Sequence, residues 1–217
     1  ETAFDGVGNV IETTDGRGHI ARNYHDRAYR VTYVISNPVT GNPSSDLQNL
    51  APTDVVVQSI FDPNGNVIES IDANGNVTRN QYDSLNRLVA TATNPSDGQP
   101  NAPPLAPKTD DIVVTSSFDD AGNLVSVTDG KAQVTDFRYD GLSRKTRTIW
   151  DAGSTVERTE QSTFDGLVQL SRTDALGRLT SYQYDDLHRV TDTLYTGASS
   201  DNRHYSYDLV GNLLSAT

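Results

Sequence analysis

Between Phe61 and Val89 three corners punctuate the chain: Asp62-Pro63-Asn64-Gly65-Asn66, Asp72-Ala73-Asn74-Gly75-Asn76 and Asp83-Ser84-Leu85-Asn86-Arg87. Their aspartates stand 10 and 11 residues apart, and the residues between them are rich in Val, Ile, Thr and Tyr. β-Forming runs reversed at this interval read as successive β-hairpins. Asn and Gly both tolerate positive φ, so a tight hairpin turn of the primed type is expected at Asn-Gly.

The rest of the chain repeats this stretch with drift, and self-similarity at a fixed period decides the architecture. An aromatic, an aspartate and a Gly-Asn-like pair recur at Phe4-Asp5, Phe61-Asp62 with Gly65, Phe118-Asp119 with Gly122, Phe164-Asp165 and Tyr207-Asp208 with Gly211. Successive starts differ by 57, 57, 46 and 43 residues. A middle corner recurs at Asp15, Asp72, Asp129 and Asp174. A third motif recurs at His25-Asp26, Tyr82-Asp83 with Arg87, Tyr139-Asp140 with Arg144, and Tyr184-Asp185 with Arg189, in steps of 57, 57 and 45. The three motifs keep one order in every copy.

Tyr-Asp-x-x-Gly-Arg-Leu with a partner motif about 21 residues earlier resembles the YD repeat of the Rhs family, over essentially all 217 residues. That family includes bacterial Rhs polymorphic-toxin proteins, the C components of insecticidal toxin complexes, wall-associated proteins and teneurins. The resemblance implies a long β-sheet spiralling into a hollow shell, which in the toxins encloses a C-terminal effector. The sequence departs from the pattern at His25 for the aromatic, at Tyr29, Asn86, Ser143 and His188 for the glycine, and at Val168-Gln169 for Gly-Asn.

Hydrophobic residues make up 35% of the chain and aromatics 7%, which argues against a thick two-sided core and for a repetitive sheet with a thin apolar layer. No apolar run approaches the roughly 20 residues that span a bilayer. The chain has no Met and stops within a repeat, so it is expected to be a fragment of a larger bacterial polypeptide. Zero Cys excludes disulfides and thiol catalysis. The formal charge of -12, with cations scattered along the strands, argues against a nucleic-acid partner. A solvated acidic surface is the favoured reading, ahead of a negative lining that holds a basic cargo.

The expected organisation is a single array over residues 1–217, with copies at about 1–54, 55–111, 112–156 and 157–202 and a partial copy at 203–217. The first copy is expected to lack its first strand. Pro-rich loops at 36–54 and 94–111 join the third motif to the next copy, and they shrink to short turns near Asp151 and Thr196 in later copies, which shortens the period. Strands are expected at 9–14, 19–25, 30–35, 55–61, 66–71, 76–82, 87–93, 112–118, 123–128, 133–139, 144–149, 157–164, 169–173, 178–184, 189–194, 203–207 and 212–216. The fold class is therefore all-β, a repetitive antiparallel hairpin sheet with two partly polar faces.

Each aromatic is expected to end a strand and stack on the equivalent ring of a neighbouring copy, while each aspartate accepts hydrogen bonds from turn amides. A role repeated in every copy is architectural before it is chemical, so these residues are assigned as a structural motif, ahead of a sugar-binding tyrosine ladder. Asp62-x-Asn64-x-Asn66 departs from a calcium loop, because its glycine is at position 4 and no bidentate Glu follows at position 12. His19, His25, His188 and His204 lack ligand spacing, with His25 and His188 falling where turn residues are expected, and no GxSxG elbow, P-loop or dinucleotide glycine pattern is present. Trp150 is expected in a turn between copies, covering a strand end.

These readings lead to a non-catalytic segment, without cofactor or metal, of a secreted or cell-surface bacterial shell. Its expected partners are the remainder of the parent chain and an enclosed C-terminal effector, with edge-to-edge self-association through unpaired strands. The alternative is an extracellular adhesion or carbohydrate-binding repeat module.

Overall fold

The computed structural model describes residues 1–38, 54–93, 112–197 and 201–217. They fall into two compact units, Glu1–Thr115 and Ser116–Thr217. Most of each Pro-rich loop (36–54 and 94–111), and Ala198 of the later connector, lie outside the described residues. No α-helix occurs among the described residues, and none is long and apolar enough to cross a membrane.

The first unit runs through β1 (Thr2–Phe4), β2 (Val10–Thr14), β3 (Ile20–His25), β4 (Val31–Ser36), β5 (Val55–Phe61), β6 (Val67–Ile71), β7 (Val77–Tyr82), β8 (Leu88–Thr93) and the first half of β9 (Ile112–Phe118). Each strand pairs antiparallel with the one before it. The second unit repeats the scheme through β10 (Leu124–Thr128), β11 (Val134–Tyr139), β12 (Lys145–Trp150), β13 (Arg158–Asp165), β14 (Val168–Thr173), β15 (Leu179–Tyr184), β16 (Val190–Tyr195), β17 (Arg203–Tyr207) and β18 (Leu213–Ala216). The protein has the all-β, repetitive antiparallel hairpin architecture that the corner spacing dictates.

Three local expectations are corrected. The first copy does have a first strand, β1, whose three residues pair with Thr13, Glu12 and Val10. Trp150 is the last residue of β12, opposite Thr135 and Arg158, and lies inside the ladder instead of in a turn. Ser36 likewise belongs to β4, opposite Ala21 and Val55.

The strand-end residue of a first or third motif marks a register shift at eight positions. Tyr82 opposes Leu88 while Gln81 opposes Ala90, so Val89 is an extra residue on the outgoing strand. The same shift accompanies Phe4, His25, Phe61, Tyr139, Phe164, Tyr184 and Tyr207. The middle corners have none. A bulge of this kind sharpens twist and re-aims side chains. Here it recurs along the one rim of each unit that carries the first and third motifs, because strands alternate in direction.

Burial is thin, as the composition requires. Ile35, Ala90 and Ala92 are the buried hydrophobic residues among those described, and most strand positions are half-buried. Polar side chains share the interior: Arg22, Glu69, Arg79, Thr148 and Thr193 are buried. The Arg79 guanidinium donates to Glu69 directly across β6 and β7, with Nε and Oε2 2.7 Å apart. One copy earlier Arg22 and Glu12 repeat the pair at the same distance.

Candidate functional site: aspartate corners and their arginine links

Each corner is a small hydrogen-bonded lock, and Asp83 shows its parts. The Asp83 backbone N–H donates to the Arg87 carbonyl and the Asn86 N–H donates to the Asp83 carbonyl, each at 3.0 Å. Asp83 Oδ1 accepts the backbone N–H of Leu85 at 2.9 Å and of Arg87 at 3.0 Å. Oδ2 accepts from Arg87 Nε at 2.7 Å. A carboxylate two to four residues upstream of its donors satisfies turn amides that would otherwise face only water.

All described motif aspartates except Asp165 use the backbone part of this lock, and the side chain four residues on varies. Asparagine supplies it at Asn9, Asn66, Asn76, Asn123 and Asn212, donating Nδ2 to the aspartate Oδ2. Arginine supplies it at Arg30, Arg87, Arg144, Arg178 and Arg189. His19 Nδ1 does so opposite Asp15 at 2.9 Å. At Asp129, Oδ1 takes the backbone N–H of Lys131 and Gln133. Such donors hold the carboxyls of Asp15, Asp62, Asp83 and Asp140 below the usual range. The Asn66 side-chain amide is the chief cause at Asp62, the Arg144 guanidinium at Asp140, and the Arg87 backbone amide at Asp83. Asp15 falls furthest, to about 2, chiefly through the His19 backbone amide and ring.

The turn is not the primed type. At Asn64-Gly65 only Gly65 has positive φ, +94°. A three-residue hairpin loop closes on one left-handed residue, the pattern of a type I turn followed by a glycine bulge. The third motif places its non-glycine substitutes at that left-handed position: Tyr29, Asn86, Ser143 and His188 have φ between 59° and 64°. His25, by contrast, is a strand-end residue of β3 and not part of a turn.

Asp165 departs from the pattern. It lies in β13 opposite Val168, and Gly166 and Leu167 form a two-residue hairpin with Gly166 at φ 49°. Val168 replaces the left-handed glycine, and the Gln169 amide donates to Ser162 Oγ and the Ser171 carbonyl.

Where ring-on-ring stacking is expected, Phe61, Phe164 and Tyr207 instead each meet the third-motif arginine of the preceding copy. The Arg30 guanidinium carbon lies 4.7 Å from the Phe61 ring centroid, Arg144 lies 4.4 Å from Phe164, and Arg189 lies 4.7 Å from Tyr207. The same guanidinium reaches main chain in the next corner: Arg30 Nη1 donates to the Asp62 carbonyl at 2.8 Å, Arg189 Nη1 to the Asp208 carbonyl at 3.0 Å, and Arg144 Nη1 to the Gly166 carbonyl. One side chain thus closes its own corner and grips the following copy. Tyrosine hydroxyls add ties of their own, from Tyr82 to the Val67 carbonyl at 3.3 Å, Tyr184 to Gln169 at 2.7 Å and Tyr207 to Val190 at 2.9 Å.

Motif reading singles out the aspartates and several arginines but not Arg30, the locking asparagines or the Glu69–Arg79 pair. A fixed spacing of four from every corner aspartate was the available signal for Arg30 and the asparagines. The turn tips on the first- and third-motif rim are apolar and exposed at Val7, Leu85, Leu142, Leu187 and Val210. An open cleft of about 440 Å³ in the second unit is lined by Arg178, Tyr195, Thr196 and Arg203 among others.

This geometry defines a β-repeat protein whose copies are joined corner to corner. The sequence profile of the RHS Repeat family matches residues 61–99, 118–155 and 165–200, more than half of the chain, and the chain belongs to that family. No curated protein matches the chain. Among solved structures, TcdB2-TccC3-Cdc42 is similar at 18% identity with a TM-score of 0.66, covering 99% of this chain and 11% of that one. TcdB2-TccC3 without its hypervariable C-terminal region gives the same values. The Photorhabdus luminescens Tc holotoxin pore is similar at 19% identity and a TM-score of 0.66, covering 100% of this chain and 11% of that one. The chain thus spans about a tenth of the toxin chains it matches, and at these identities the likeness is one of fold.

Proposed function

We propose that this chain is a non-catalytic length of YD-repeat wall, part of a shell that encloses a toxin or other passenger domain of a secreted or cell-surface bacterial protein. The observation that carries the reading is the arginine link. Arg30, Arg144 and Arg189 each spend their donors inside their own corner and on the next copy, so the motif residues serve continuity of the wall. The aspartate carboxylates, which a hydrolytic reading would need free, are taken up by turn donors. The aromatic, aspartate, glycine and arginine positions are on this reading architectural throughout.

The test is limited proteolysis of the full-length parent polypeptide. The segment that follows the repeats should resist cleavage until denaturant opens the wall, and should be cut readily when expressed alone. Equal cleavage rates in the two settings would overturn enclosure. A glycan array probed with the same polypeptide addresses adhesion: saturable binding abolished by Tyr195→Ala would move the assignment to a carbohydrate-binding module.

A further inference from the structure

The chain contains two Asn-Gly pairs, Asn64-Gly65 and Asn74-Gly75, both at exposed corner tips in the second copy. Asn-Gly is the pair most prone to lose a side-chain amide, because glycine has no Cβ to shield its nitrogen. That nitrogen gives up its proton and bonds to asparagine Cγ; the Cγ–Nδ2 bond breaks and ammonia leaves. Water then opens the cyclic imide at either carbonyl, giving aspartate or, when the main-chain bond is the one cut, isoaspartate. Water is the only co-reactant.

The fold restrains both glycine nitrogens alike: Gly65 N–H donates to the Asp62 carbonyl at 3.1 Å and Gly75 N–H to the Asp72 carbonyl at 2.9 Å. The side chains differ. Asn64 Nδ2 donates to Asn86 Oδ1 at 3.0 Å, and Asn66 Nδ2 donates to the same oxygen at 2.9 Å. Asn86 sits at the left-handed position of the neighbouring corner, so the clasp joins first and third motifs along one rim. Bringing Asn64 Cγ onto the Gly65 nitrogen breaks that clasp. The Asn74 side chain has no hydrogen bond to any described residue; only its backbone N–H is engaged, by Asp72.

We infer that Asn74 is the principal site of spontaneous deamidation in the folded chain, and that the Asn86 clasp holds Asn64 back. Conversion to isoaspartate inserts an extra backbone atom just before Gly75, which disrupts the Asp72 corner. The second copy therefore carries a slow chemical record of age at one rim and a protected counterpart at the other.

The test is peptide mapping by mass spectrometry of the intact chain incubated at mildly alkaline pH, following the mass gain of amide-to-acid conversion at each position. Folded, Asn74 should convert several-fold faster than Asn64; in guanidinium the two rates should converge. Asn86→Ala should raise the Asn64 rate several-fold and leave Asn74 unchanged. Asn86→Gly, which suits the left-handed backbone and removes the same amide, gives a second reading should Asn86→Ala unfold the corner. Equal rates in the folded chain, a ratio unaltered by guanidinium, or an Asn64 rate indifferent to both Asn86 variants would overturn the inference. Isomerisation at Asp165-Gly166 changes no mass and does not confuse the readout.

Discussion

Glu69 and Arg79 face each other directly across β6 and β7, with both side chains more than nine-tenths buried and their charged ends 2.7 Å apart. A pair held this deeply is costly to break from one side, because the surviving charge stays out of water. Glu69→Gln or Arg79→Met alone should destabilise the first unit by about 3–5 kcal/mol, read as a lowered urea midpoint. The double replacement Glu69→Leu with Arg79→Met should recover most of that loss. Additive losses in the double variant would show that the two side chains contribute independently and would overturn the coupling. The next copy carries Ser126 opposite Asp136 at these positions, so the sheet tolerates other occupants.

The left-handed corner position offers an opposite test. Tyr29, Ser143 and His188 occupy it at φ between 59° and 64°. L side chains other than Asn and Asp pay roughly 1 kcal/mol or more in this region. Tyr29→Gly, Ser143→Gly and His188→Gly should each raise stability by about 1 kcal/mol, and Gly65→Ala should lower it by a similar amount. Nothing lies within 4 Å of a Cβ built at Gly65, so the loss there would come from backbone conformation and not from a clash.

Arg144 and Phe164 permit a double-mutant cycle across a copy junction. With the guanidinium carbon 4.4 Å from the ring centroid, a coupling of about 0.5–1 kcal/mol is expected between Arg144→Ala and Phe164→Ala. Arg144→Lys should lose most of it, because an ammonium cannot stack as a plane while also serving the Asp140 carboxylate and the Gly166 carbonyl. Zero coupling would reduce the stacking to coincidence.

Acid should loosen the corners. The Asp83 and Asp140 carboxyls sit below their ordinary value of 3.8, and Asp15 lies at about 2. A depressed folded pKa contributes stability above the unfolded value, and that contribution is lost as pH falls through the folded one. Thermal midpoints should therefore be level above pH about 4 and fall between about 4 and 2. Asp15→Asn should lower the plateau and flatten the fall. A midpoint that rises with acid would contradict the lock.

The strand ladder was legible because its corners are written in local sequence: Asp, Gly and a donor at fixed offsets place nearly every strand end within a residue. Two things were not. The turn type depends on which of Asn64 and Gly65 takes positive φ, and composition allows either. The Arg30–Phe61 and Arg189–Tyr207 contacts join residues distant in sequence, whose approach follows from neighbouring hairpins lying side by side. The Glu69–Arg79 pair escaped notice because only the first two copies carry it, so no repeat pattern marks it. Asp165 resembles a corner by its aromatic neighbour, yet with valine at the usual glycine position the chain turns earlier, at Gly166-Leu167.

Because each lock closes within five residues, each locked corner has its own local reward and waits for no distant contact. Chain emerging from a ribosome can set one corner after another and add each finished hairpin to the last. Assembly in that manner is progressive, so a very long polypeptide of this type avoids having to search its whole length at once.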